Sequence, residues 1–84
     1  MEEREALLNV LKRQFGVKRT HVAWLSRPAG QAVARVGLLH FRHRDGQVPV
    51  WSGRAWRDVR NLRELGYVLA EASNLGTPPE GHQS

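Results

Sequence analysis

The chain has 84 residues, no cysteine and a formal charge of +5, from 13 Lys+Arg against 8 Asp+Glu. That length makes one domain near the lower limit of what a single core stabilises, and the missing cysteine removes disulfides and thiolate metal sites. No apolar run approaches the roughly 18 residues a membrane span needs, and Met1-Glu2-Glu3-Arg4-Glu5 carries the wrong charge for a secretory leader, so a soluble cytoplasmic protein with no membrane partner is expected.

Residues 2–15 predict an amphipathic helix. Leu7, Leu8, Leu11 and Phe15 recur at helical spacing, and Gly16 suits a C-cap. Glu2, Glu3 and Glu5 open it and Lys12 and Arg13 close it, complementing the helix dipole at both ends. His21 to Ser26 then reads as a strand, ended by the turn signal Arg27-Pro28-Ala29-Gly30. Gln31 to His43 reads as one longer strand with Gly37 as a bulge or close-approach point. Asp45-Gly46 signals a hairpin turn, and Val48 to Ser52 forms the third strand, placed at a sheet edge by Pro49.

A second helix is predicted from about Arg54 to Asn74, burying Val59, Leu62, Leu65, Gly66, Leu69 and Ala72. The fold expected is α+β, in the order α-β-β-β-α, with a three-stranded antiparallel meander and both helices packed on one face. Residues 1–75 make the domain. Residues 76–84, Gly-Thr-Pro-Pro-Glu-Gly-His-Gln-Ser, have too little to bury and are expected to form a disordered tail.

Chemistry-bearing clusters are sparse. Six of the eight acids fall on the two predicted helices in no shared motif, and Ser26, Ser52, Ser73 and Ser84 have no nucleophile-elbow context. No catalytic residue and no cofactor are expected. His40 and His43, three apart on a strand, point to opposite faces, so no metal site is expected either. Trp24 and Trp51 read as core, and Trp56 as core or stacking platform in equal measure.

Charge is more informative. From Lys12 to Arg60 the chain carries a net +9, and the remainder a net −4. Arg54, Arg57 and Arg60 would sit in the first turns of the second helix, where the dipole disfavours cations. Helix amino termini attract phosphate, so these arginines read as an anion site, with Lys18, Arg19, Arg42 and Arg44 extending the patch and Trp56 able to stack. The expected partner is the phosphate backbone of RNA or DNA. The alternative is a homodimer, since 33–41 offers apolar residues on both faces of one strand: Ala34, Val36 and Leu38 against Val33, Leu39 and Phe41.

Two resemblances follow. Trp56-Arg57-Asp58-Val59-Arg60 at the start of the second helix resembles the basic run that the double-stranded-RNA-binding domain places there, with Arg57 and Arg60 at basic positions. Trp56 departs from the first of them, and the loop at Pro28 and Gly30 lacks that family's histidine. This resemblance implies an RNA-backbone reader. The stretch Trp51-Ser52-Gly53-Arg54-Ala55-Trp56-Arg57 is similar to small proteins of the Thermus–Deinococcus bacterial group, a domain of unknown function that implies no activity or ligand.

Overall fold

The computed structural model describes residues 3–27, 31–72 and 74–79. It is an α+β fold: helix α1 (Glu3–Phe15), strands β1 (Ala23–Trp24), β2 (Val33–Val36), β3 (Leu39–Arg42), β4 (Val50–Trp51) and β5 (Trp56–Arg57), then helix α2 (Leu62–Glu71). The five strands form one antiparallel sheet in chain order, a simple meander. Among the described residues no helix is long and apolar enough to cross a membrane.

α1 forms as its sequence dictates. Glu3 and Glu5 occupy the first turn and Lys12 and Arg13 the last. Gly16 ends it at φ +69°, its amide donating to the Lys12 carbonyl. That positive φ excludes most side chains and closes the helix without strain. One 3₁₀ turn at Arg19–His21 follows, so β1 starts two residues later than predicted.

The meander has five strands where three are predicted, for two reasons. Gly37 is not a bulge in one strand. At φ +63° it leads a two-residue turn, and Val36 pairs with Leu39 across it, as glycine-first hairpin turns require. Downstream, Trp51 pairs with Trp56, so residues 52–55 are a hairpin loop and not helix. The Ser52 hydroxyl donates to the Ala55 carbonyl and the Ser52 amide does the same, at 2.9 and 3.0 Å. Between the new strands Asp45 and Gly46, both at positive φ, make the predicted turn, and Arg44 and Gln47 exchange two 2.9 Å bonds across it. Pro49 immediately precedes β4, which lies inside the sheet and not at its edge. Its carbonyl accepts from Arg42, and only the reciprocal donation is forfeited.

α2 begins at Leu62, eight residues after the predicted start. The Asn61 side chain accepts from the Glu64 amide at 3.0 Å, capping the helix. Val59 is buried as the helical stripe requires, but it faces the core from the end of β5, and Leu62 is 64% exposed.

The register fixes the two sides of the sheet. Ala34, Phe41, Val50 and Arg57 form one cross-strand row, with Trp24 beside Ala34. This side carries the core: Ala34, Phe41 and Val50 cluster with Leu7 and Leu11 of α1 and Leu65 and Val68 of α2. Both helices therefore cover it. Residues one step away, Arg35, His40, Arg42, Trp51 and Trp56, belong to the second side. The Gly37 turn also reverses parity, so Leu39 and Phe41 return to the side of Ala34 and Val36. The second apolar face on which the homodimer alternative rested is not formed by these residues.

Beyond α2 the chain starts against the β4–β5 loop, where Asn74 touches Gly53, and reaches Arg27 past β1, whose guanidinium donates to the Pro78 carbonyl at 3.0 Å. The segment 74–79 thus straps the sheet on its second side, where Val33 and His40 are buried although neither belongs to the core cluster. Pro78 is itself buried. The tail predicted from residue 76 is described only to Pro79; residues 80–84 and the turn residues 28–30 lie outside the described residues.

Candidate nucleic-acid interface

The two tryptophans of the β4–β5 hairpin stand side by side on the second side of the sheet. Their ring centroids are 5.4 Å apart with planes at 63°, an edge-on contact. Arg42 of β3 lays its guanidinium over the Trp56 ring, 4.6 Å from the centroid. Such stacking keeps the arginine ordered while leaving its charge uncompensated. The Arg42 Nε–H is buried with no acceptor among the described residues. Burial, reinforced by the positive charge of Arg44, lowers the Arg42 pKa; the field of Asp58 opposes this. An arginine so placed still holds its proton at neutral pH.

Arg44 is exposed in the turn beyond Arg42, and Arg35 is exposed on β2, donating to the Gly37 carbonyl at 3.1 Å. Among the described residues none of Arg27, Arg35, Arg42 and Arg44 has a carboxylate within 4.0 Å. Trp51, read from sequence as core, belongs instead to this cluster, whereas Trp24 does pack on the core, with Arg4 over its ring at 5.2 Å. The signal for Trp51 was its spacing from Trp56, two aromatics bracketing a four-residue loop that contains glycine.

The other predicted site residues are arranged differently. Arg57, Arg60 and Arg54 do not open a helix: Arg57 is in β5, Arg54 in the loop before it, and Arg60 precedes the α2 cap. Arg57 instead lies near the end of α2, 4.0 Å from Glu71. Cations are favoured at that end of a helix, so the conflict with the dipole disappears. Arg54 and Arg57 share a shallow cleft with Glu71 and Ala72. Arg60 is bound to Glu64, whose carboxylate accepts from the guanidinium at 2.9 Å and from the Arg60 amide at 2.8 Å. The hydrogen bonds from Arg60 hold the Glu64 carboxyl below its ordinary pKa and raise that of Arg60. The stretch that resembles the double-stranded-RNA-binding domain is therefore strand and loop, without that family's helix-start cations.

Arg19 and Lys18 lie at the 3₁₀ turn, where Arg19 reaches back to Glu5 of α1 at 3.2 Å. They belong to the helical layer and do not join Arg42. Of the predicted residues, the structure brings Arg42, Arg44 and Trp56 together; Arg54 flanks them, exposed and without an ion pair among the described residues. His40 and His43 point to opposite sides as predicted. His43 meets Glu3 at 3.3 Å on the helical side, and His40 is buried on the other with its Nδ1 unpartnered among the described residues. No family model, curated protein or solved structure matches the chain.

Proposed function

We propose that this domain is a non-catalytic binding module for an anionic polymer, the phosphate backbone of RNA or DNA, engaged by the helix-free side of the sheet. The observation that carries this reading is the cluster of Arg42, Arg44, Trp51 and Trp56, in which neither arginine is neutralised by a carboxylate of the described residues. Carboxylates of the two helices reach Arg19, Arg57 and Arg60 instead. Arg27, Arg35, Arg42 and Arg44 thus form a group of arginines with no carboxylate pair among the described residues, and Arg42 lies on the side of the sheet that the helices leave open. Arginine forks match phosphate oxygens bidentately, as they do carboxylates.

The test is fluorescence anisotropy of labelled RNA and DNA oligonucleotides at 50 and 200 mM salt. Binding should weaken steeply with salt, with a log–log slope of about 0.7–0.9 per phosphate contacted. Arg44→Glu, at an exposed turn position that leaves the core untouched, should weaken every oligonucleotide by a similar factor and lower that slope. Absence of binding at 50 mM salt would falsify the reading.

A further inference from the structure

Resting on the reading just given, we infer that the preferred ligand is single-stranded nucleic acid whose unpaired bases stack on the Trp51–Trp56 pair. Two tryptophans paired across a hairpin present four ring faces. The guanidinium of Arg42 occupies one, and an edge-on contact uses one face of only one ring. Both indoles remain partly exposed. Bases in a duplex have no free face to offer such rings, because their neighbours already cover them. An unpaired base does, and its stacking on indole is insensitive to sequence.

The arrangement of charge around the rings supports the same ligand. Arg44 lies at the Asp45–Gly46 turn, at one end of the β3–β4–β5 half of the sheet. Arg54 lies in the loop 52–55, at the other end. Five residue steps separate Gln47, bridged to Arg44, from Ser52, so the two ends are about 17 Å apart if the chain between them is extended. The tryptophans lie between them, toward the Arg54 end. A cation at each end of a short aromatic track suits a flexible strand whose backbone carries one phosphate per nucleotide. The Asp58 carboxylate makes no ion pair there among the described residues, although its field reaches Arg42. The strap 74–79 runs from Gly53, in the loop between the two tryptophans, to Arg27, and both indoles keep part of their surface exposed beside it.

The experiment compares four ligands of equal length on the full chain by anisotropy at 50 mM salt: single-stranded DNA, single-stranded RNA, a DNA duplex and an abasic deoxyribose-phosphate strand. The abasic strand keeps the charge and lacks the bases. The single strands should bind about fivefold to a hundredfold tighter than the abasic strand for each base stacked, and should quench tryptophan fluorescence. Repeating the quench in Trp24→Phe, which removes the core indole from the signal, should leave it intact. Trp56→Leu should erase the advantage over the abasic strand, with its circular dichroism unchanged. Equal affinity for abasic, duplex and single strands, with no quench, overturns stacking and leaves the phosphate reading standing. No binding of any ligand overturns both. The RNA and DNA arms identify which strand is preferred.

Discussion

A Cβ at position 53 would run into the backbone carbonyl of Asn74, and φ there is +95°. At Gly37 φ is +63° but the space around the missing Cβ is open. Both positions resist a side chain, for different reasons, and comparing them separates backbone strain from steric overlap. Gly37→Ala should lose about 1 kcal/mol from the left-handed backbone alone. Gly53→Ala should lose about 1–3 kcal/mol and more than Gly37→Ala, because it also pushes the strap away from the loop. Urea midpoints of the two variants check the order. His40 offers a second test at this scale. Burial, then the positive charges of Arg35 and Arg27, hold its imidazole below the ordinary value of 6.5. The unfolded chain therefore binds a proton that the folded chain resists. Stability should be unaffected by this group above about pH 6.5 and fall below it, by at most about 1.4 kcal/mol per pH unit until the folded value is reached. The melting temperature at pH 5 and 7.5 measures this, and His40→Gln should reduce the difference.

At the scale of elements, α2 depends on a cap that its sequence announces. Asn61 accepts from the Glu64 amide, and Glu64 reaches back to the Arg60 amide, close to the reciprocal pattern of a capping box. Asn61→Ala should cost about 1 kcal/mol, read as a lower urea midpoint with an unchanged slope. Asn61 and Glu64 carry that signal in the sequence, whereas the apolar stripe extends the predicted helix back to Arg54. Val59, Leu65 and Leu69 fit helical spacing, although Val59 reaches the core from the irregular segment between β5 and α2. Elements with unambiguous chemistry were legible: α1 from its charged ends and Gly16, and the β3–β4 turn from Asp45-Gly46. The unread hairpins were those whose turns rest on one glycine within an apolar run. At Gly37 strand and turn share the same residue types, and only the pairing of Val36 with Leu39 distinguishes them.

Over the whole molecule, linear charge counting located the excess and not its surface. A net of +9 between Lys12 and Arg60 is correct as arithmetic. Yet Arg19 is bonded to Glu5 and Arg57 lies beside Glu71, partners fourteen residues away in each case. No window of sequence shows that pairing. Arg42, Arg44 and Trp56 were within reach of sequence reasoning because basic and aromatic residues are conspicuous. Their neighbour Trp51 was not, because its side of the sheet is set by two hairpins that were not anticipated. The strap has a consequence for how the molecule opens. Every strand pairs with its sequence neighbour, so the sheet closes through short loops of small entropy. The Arg27–Pro78 contact joins residues 51 apart and, among the described residues, holds the far end of the strap by one hydrogen bond to a neutral carbonyl. Native-state fluctuations should therefore start at the carboxyl end, freeing Arg27 while the amides of the meander and its helices stay protected from exchange with solvent.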